Sequence, residues 1–412
     1  MKAVILAAGE GKRMRPLTTT CPKVMLPIAN QPIIEHLLIE LKRAGITEFI
    51  FIVGYRADSV RSYFSNGKRW GVSIEYCTQQ EQAGTSHAVR LVREKVYSRF
   101  LLVNGDVVLK ASDLKRLIEK KIPALSLFEV GDTTGLGVVE TDGAYVERIH
   151  EKTASPPTHL ANAGAYLLTH DIFGAIERVP QSPRGEYELP DAIQMLIDQG
   201  TRVEYVCINW WLNLTHPWDL LTANEELLPG AKTAHRGIIE PGTVVKGKVA
   251  IGKGTIVRSG SYITGPVIIG ENCDIGPNCS IRPATSIGNR CHIGASVEVK
   301  NSIIMDGSKI PHLSYVGDSV VGPDCNLGAG TKIANLRLDE ANISASGSNT
   351  GRRKFGAVLG AGVHTGINVS ITPGTIIGSN SHIWPDALIG GEISPGSTVL
   401  ERRERWVRSS RR

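Results

Sequence analysis

A doubly wound, mostly parallel α/β domain followed by a β-helix of six-residue repeats is the fold class predicted for this chain. Three observations predict it. Apolar, strand-like runs alternate with helix-like segments through the first half. Aliphatic residues recur at every sixth position through the second. Glycine is uneven, with 17 in the first 236 residues against 27 in the last 176. The chain therefore has two halves of different kind.

At about 150 residues per domain, 412 residues hold two or three domains, enough to bury sizeable cores. An apolar fraction of 42% and a charged fraction of 21% exclude wholesale disorder. No apolar run approaches the roughly 18 residues of a membrane helix. Met1 to Gly9 lacks a signal-peptide layout and reads as a buried strand. The net charge is +6, and six Arg less two Glu place +4 of it in the last twelve residues. The nearly balanced body argues against a nucleic-acid binder. The tail reads equally as a solvated terminus or as a grip for a phosphate-rich ligand. Seven cysteines without a CxxC pair point to a reduced, cytoplasmic setting.

The elements follow in order. Lys2 to Ala8 is a continuous apolar run that leads into Gly9-Glu10-Gly11-Lys12-Arg13-Met14-Arg15-Pro16. A strand entering a Gly-rich basic turn lets backbone N–H groups approach an anion. The turn is neither a Walker A loop nor GxGxxG. A helix is predicted over Ile33 to Arg43, closed by Gly45. Strands are predicted at Phe49 to Val53 and Ile74 to Cys77, a helix over Thr85 to Val96, and a strand at Phe100 to Val103 that ends in Asn104-Gly105-Asp106. Ligands of parallel sheets sit at the carboxyl ends of strands, where Gly9 and Asp106 fall. A carboxylate there suits a Mg²⁺ that bridges phosphates.

In the second half, aliphatic residues stand six apart from Ile239 through Val245 and Ile251 to Val299. The residue four further on is small or β-branched, as at Thr255, Cys273, Cys279 and Cys291. The register slips after Met305 and resumes at Val321, Leu327 and Ile333. A polar insertion follows, and the period continues from Leu359 to Ile389. Three hexads, each a short strand and a turn, make one triangular coil. The inward slot explains Cys273, Cys279, Cys291 and Cys325 as packing residues.

Further matches carry more. The glycine turn with Arg13 is followed by Thr18, Pro22-Lys23, Gln79, Gln82-Ala83-Gly84-Thr85 and His87-Ala88. Then come Gly105-Asp106, Glu151-Lys152, Asn162-Ala163-Gly164 and Arg184-Gly185-Glu186-Tyr187-Glu188-Leu189. In that order they resemble the sugar-1-phosphate nucleotidylyltransferases, over residues 1–228. The resemblance implies in-line attack of a sugar-1-phosphate oxygen on the α-phosphorus of UTP or dTTP, with Mg²⁺ as cofactor and pyrophosphate leaving. It implies catalytic roles for Arg13 and Lys23 and a nucleotide cradle of Ala7, Ala8, Gly9 and Gly11. Gln79, Gln82, Gly84 and Thr85 would also bind the nucleotide, with Gln79 and Gly84 reading the pyrimidine. The sugar phosphate would meet Gly137, Glu151, Lys152 and Asn162, and the metal Asp106 and Asn213. Asn213 stands where many members have Asp, which makes the metal site one charge poorer. Thr215, Leu136 and Thr153 also depart from the family's pattern.

The run Lys309 to Asp318, with Arg282, Lys300, His312, Tyr315, Asn326 and Asn335 around it, resembles the acetyltransferase site of bifunctional GlmU-type enzymes, closest to archaeal forms. The resemblance implies a left-handed β-helix over 237–400, after a linker at 229–236 and before a basic tail at 401–412. Acetyl-CoA is the implied co-substrate. His312 suits a general base, because an imidazole can take up and return a proton under ordinary conditions. Arg282 and Lys300 would hold the phosphate of an amino-sugar-1-phosphate, and Tyr315, Asn326 and Asn335 its sugar. CoA would run past Ala329 and Ala361, its phosphates gripped by Arg352, Arg353 and Lys354 or by the tail. A homotrimer with sites shared between subunits is implied, with a hexamer as a larger assembly. No nucleic-acid or membrane partner is implied. The sum is a cytoplasmic bifunctional enzyme making UDP-N-acetylhexosamine. Two other readings stay open at this point. One is a glucose-1-phosphate nucleotidylyltransferase whose coil only trimerises; the other is a non-catalytic scaffold that binds sugar nucleotides.

Overall fold

The computed structural model describes residues 1–151 and 155–400. Lys152, Thr153 and the basic tail lie outside the described residues. The chain divides into two compact units, one of residues 1–11, 21–26 and 32–214, the other of 12–20, 27–31 and 215 onward.

The first unit is built on a nine-stranded sheet. Lys2–Ala7, Glu48–Val53, Ser73–Thr78 and Phe100–Asn104 pair in parallel. Leu160–Leu168 runs antiparallel to Phe100–Asn104 on one side and to Ala124–Glu129 on the other. Successive residues of the first strand enter different cores. Ala3, Ile5 and Ala7 join Leu37, Leu41 and Phe64. Val4 and Ala8 join Val89, Phe173 and Ile193. Helices thus cover both faces, so a strand buried on each side reads as an unbroken apolar run. The helix Ile33–Arg43 has the predicted bounds and is closed by Gly45 at φ +99°. The predicted helix over Thr85 to Val96 is shorter than expected. It spans Thr85–Arg90, and a 3-10 turn follows at Arg93–Lys95. That turn keeps Val92 and Val96 in the same core as Val89 without continuing the α-helix.

The second unit holds three parallel sheets of nine, nine and eight strands, consistent with a β-helix. Val249–Ile251 pairs residue for residue with Val267–Ile269, one coil later. Ile251, Val257, Ile263, Ile269, Ile275 and Ile281 lie in one core that also contains Cys273, Cys279, Cys291 and Cys325. The register slip expected after Met305 takes another form. Ile304, Ile310 and Val316 stay in the core at six-residue spacing and pair with Ile287, Ile293 and Val299. The irregularity is two five-residue steps, Val299 to Ile304 and Val316 to Val321. Each step shortens a turn rather than a strand, so the stack of strands continues. Asn301 and Asp318 occupy these shortened turns in the left-handed region, at φ +44° and +49°. The insertion leaves the coil after Ile333 and carries a hairpin of Ser344–Ala345 and Ser348–Asn349.

The two early segments of this unit are bonded to the coil. Asn30 Nδ2 donates to Ile287 O at 2.6 Å, and Thr19 Oγ1 lies 2.9 Å from Ser379 Oγ. Asn224 links both parts, accepting from Ala29 N at 2.9 Å and donating to Ala284 O at 2.8 Å.

Candidate functional site

In the first unit the candidate residues gather at the carboxyl ends of strands. Gly11, at φ +73°, has room for no side chain, because a Cβ would lie 2.7 Å from the Cβ of Lys23. Lys23 is buried, and its Nζ lies 2.6 Å from Asp106 Oδ2. Asp106 follows the strand Phe100–Asn104 after one glycine, Gly105. The short strand Trp211–Asn213 pairs antiparallel with Val107–Leu109, setting Asn213 opposite Val107, and Leu214 N donates to Asp106 O at 3.3 Å. Asn213 thereby lies opposite Val107, the residue next to Asp106. Asp106 and Asn213 offer one carboxylate and one amide oxygen, hard donors that suit Mg²⁺, which commonly takes few protein ligands and completes its shell with water and phosphate. No group of three or more His, Cys, Asp or Glu suited to a metal exists among the described residues.

Gln79 is buried at the end of Ser73–Thr78, its amide nitrogen donating to Gly84 O at 3.1 Å and lying 3.1 Å from His87 Nδ1. Gln82 Nε2 donates to Ala8 O at 3.0 Å, tying this loop to the glycine turn. Gly84 sits at φ +109° with its Cα face 2.4 Å, as a Cβ would measure it, from Tyr187 O. Tyr187 N donates to Ala83 O, and Leu189 N to Thr85 Oγ1. The loop 82–85 is therefore clamped by the 187–189 segment.

A β-bulge interrupts the pairing of Leu160–Leu168 between Asn162 and Tyr166. It re-aims Asn162, whose Nδ2 donates to the Tyr166 hydroxyl at 2.9 Å and whose Oδ1 accepts from Gly164 N at 3.2 Å. Burial pushes the Tyr166 phenol up, and the Glu151 carboxylate adds to the shift. Glu151 Oε2 lies against Gly137, at 2.6 Å from where a Cβ would stand, and Arg184 Nη2 is 3.7 Å from Glu151 Oε1. Arg13 lies in the 3-10 turn Lys12–Met14, exposed, and belongs to the second unit. Lys152 lies outside the described residues.

In the second unit a polar cluster forms around a residue that sequence reasoning passed over. The Asp318 carboxylate is buried and receives three donors. These are Lys300 Nζ at 3.3 Å, Asn301 Nδ2 at 2.8 Å, and Asn335 Nδ2. The signal that could have found it was the five-residue step between Val316 and Val321. Tyr315 and Asn335 converge over Gly317, where a Cβ would lie 2.5 Å from the phenol oxygen and 2.8 Å from the amide nitrogen. Burial and then the Asp318 charge push the Tyr315 phenol up.

His312 ends the strand Lys309–His312 with its side chain exposed, beside Leu313 at φ +51°. Its carbonyl accepts from Gly330 N at 3.1 Å and Ser314 Oγ at 2.7 Å, so its backbone is fixed by the next coil. Arg282 Nη1 donates to Glu298 Oε1 at 2.7 Å. Asn326 is exposed on the strand that pairs with Lys309. Ala329 and Ala361 have carbonyls engaged by Asn368 N and Asn380 N, both at 2.8 Å.

Arg352 differs from its expected place among the phosphate-gripping cations. Its side chain is 16% exposed, ion-paired with Glu225 and donating to Thr222 Oγ1 at 2.9 Å. It fastens the insertion to the helix Asp219–Leu227 instead of facing solvent. Arg353 pairs with Glu340 at the surface, and Lys354 is exposed.

Comparison with known proteins covers both units. Residues 2–229 match the nucleotidyl transferase family model, and 263–381 match the model of the GMPPB C-terminal domain. A bifunctional protein GlmU from Methanococcus maripaludis is 39% identical over 418 residues, covering 100% of each chain. The protein of the same name from Methanocaldococcus jannaschii is 39% identical over 409 residues, 98% of each. A bifunctional sugar-1-phosphate nucleotidylyltransferase/acetyltransferase from Sulfurisphaera tokodaii is 39% identical over 96% of this chain and 99% of its own. Among solved structures, one from Bacillus anthracis described as a glucose-1-phosphate thymidylyltransferase is 29% identical, with a TM-score of 0.51, over 54% of this chain and 94% of its own. Matching end to end at this identity, the chain belongs to the family of bifunctional GlmU proteins, sugar-1-phosphate nucleotidylyltransferase/acetyltransferases.

Proposed function

We propose that this chain acetylates glucosamine-1-phosphate or galactosamine-1-phosphate with its C-terminal coil and transfers a uridylyl or thymidylyl group to the product with its N-terminal domain. The observation that carries the reading is the end-to-end match to bifunctional relatives, with both residue sets present in one chain.

In the coil, His312 accepts a proton from the sugar amine as nitrogen attacks the thioester carbonyl, and the CoA thiolate leaves. Arg282 and Lys300 hold the sugar phosphate. Asp318 holds Lys300 and Asn335 in place, so less ordering remains to be done when substrate binds. Tyr315 and Asn326 orient the ring. CoA lies along Ala329 and Ala361, with Arg353, Lys354 or the tail at its phosphates. A left-handed hexapeptide β-helix forms a homotrimer whose sites are shared between neighbours.

In the first domain, Lys23 and Arg13 neutralise charge that develops on the triphosphate as pyrophosphate leaves. Gln79 and the Gly84 backbone select a pyrimidine. Glu151 and Asn162 receive sugar hydroxyls, and Lys152 the sugar phosphate. Asp106 and Asn213 would hold Mg²⁺, which supplies Lewis-acid charge stabilisation when bound. The residues are bounded as 1–228 for this domain and 237–400 for the coil, in a cytoplasmic enzyme.

The experiment is thiol release from acetyl-CoA with each amino-sugar-1-phosphate, run beside pyrophosphate release, for wild type and His312→Ala. Thiol release in the wild type that falls by about 10²–10⁴ in the variant, with pyrophosphate release unchanged, is expected. A wild type silent with both sugars would reduce the coil to a trimerisation scaffold.

A further inference from the structure

The second unit contains a cavity of whose lining only Arg13 has a role above. Its volume is about 520 Å³, within the range of small-molecule sites. Its lining includes Lys12, Arg13 and Arg15 of one basic segment. It also includes Ser346 and Ser348 of the insertion hairpin and Glu392 and Ser394 of the last coils. Trp218, Ile376 and Ile393 supply apolar surface.

The walls are held in place. His216 stacks on Trp218 with ring centroids 4.6 Å apart and planes 5° from parallel, and Trp218 meets Phe355 edge-on. Thr215 N and His216 N both donate to Asp219 Oδ2 at 2.7 Å. The basic segment is tied to the coil edge by the Thr19–Ser379 hydroxyl pair. The cavity is therefore preformed.

Its chemistry is mixed in a specific way. The cations Lys12 and Arg13 in the lining call for a phosphate. The serines and Glu392 of the same lining call for a partner that both donates and accepts, and a bare polyphosphate cannot donate to Glu392. Apolar surface with Trp218 suits the carbon face of a sugar ring. Of the residues assigned to substrates, only Arg13 lines it.

We propose that this cavity binds a phosphate-bearing carbohydrate other than the reacting sugar-1-phosphate, and that occupancy engages Arg13 and slows nucleotidylyl transfer. The binding stands by itself; the effect on rate rests on the nucleotidylyltransferase reading above. A sugar phosphate that carries its phosphate away from the reacting carbon would then signal its own abundance to the N-terminal reaction.

The test is calorimetric titration of the full chain with glucose 6-phosphate and, separately, with inorganic phosphate. Wild type is compared with Ser348→Tyr, which fills the cavity from the hairpin side, and with Lys12→Glu. Glucose 6-phosphate should bind the wild type at least tenfold more tightly than inorganic phosphate, and each variant should lose at least tenfold. Pyrophosphate release should fall at least threefold at saturation in the wild type, stay level in Ser348→Tyr, and leave thiol release unaffected in both. Binding that is equal in all three proteins would overturn the site, as would no heat in the wild type. Inorganic phosphate binding as tightly as the sugar phosphate would overturn the carbohydrate assignment. Binding lost in the variants with pyrophosphate release unmoved in the wild type would overturn the regulatory effect alone.

Discussion

The two units place their candidate functional groups by different means. In the α/β unit the groups sit on loops at strand ends, and close backbone approaches position them. Gly11 lets Lys23 pass, Gly84 lies against Tyr187, and a Cβ at Gly105 would lie 2.5 Å from Leu6 O. In the coil Lys300, His312, Tyr315 and Asn326 sit on strands, and two shortened turns carry Asn301 and the buried Asp318. A layered sheet assembles distant segments, so one misplaced loop disturbs many partners. A coil contacts only the coils above and below, so a local change stays local.

The largest expected effect breaks the first arrangement. Gly84→Val puts a branched side chain at φ +109° against the Tyr187 backbone. Pyrophosphate release should fall about a hundredfold, since displacements near 1 Å cost that much, with thiol release unchanged. An equal loss in both assays would show that the units are not independent in this respect.

Asp318→Ala tests the second arrangement. It leaves Lys300, only one-fifth exposed, without its carboxylate, and unpairing a buried ion costs about 3–5 kcal/mol. Thiol release should drop while pyrophosphate release is retained, and the coil's melting temperature should fall. Asp318→Asn, which keeps the shape and some hydrogen bonds, should recover part of both.

Alkaline pH sharpens the contrast through the coil's thiols. Burial pushes the Cys325 thiol up to about 12. Its folded pKa lies above the ordinary value, so its contribution is complete below about pH 8.5. That contribution is lost as pH rises towards 12. Denaturant melts at rising pH should show the coil weakening across this window, and Cys325→Ala should flatten part of the slope.

The smallest effect is Asn213→Asp, which returns one negative charge beside Asp106. The magnesium concentration for half-maximal pyrophosphate release should fall by a few-fold, about 1 kcal/mol or less. A rise instead would show that Asn213 does not face the metal.

Much of this is legible in the sequence. The helix Ile33–Arg43 was visible because its apolar stripe and closing glycine agree. The inward cysteines were visible because a six-residue period leaves them no other place. The helix expected to reach Val96 stops at Arg90 because a tighter turn satisfies the same apolar spacing. The slip after Met305 was misjudged because a five-residue step and a broken register look alike along the chain. Arg352 read as a free cation because its partner Glu225 lies far away in sequence.

The sequence by itself determined the two architectures, since strand alternation, helix spacing and a hexad repeat are local periodicities that dictate which face is buried. It also determined which chemical groups are present. Only the tertiary structure decided which of them meet: Asn213 opposite Val107, the residue next to Asp106, the 187–189 segment clamped on Gly84, and Lys300 and Asn335 gathered on Asp318. Those contacts join residues whose separation along the chain carries no period, so no local rule of burial or spacing specifies them.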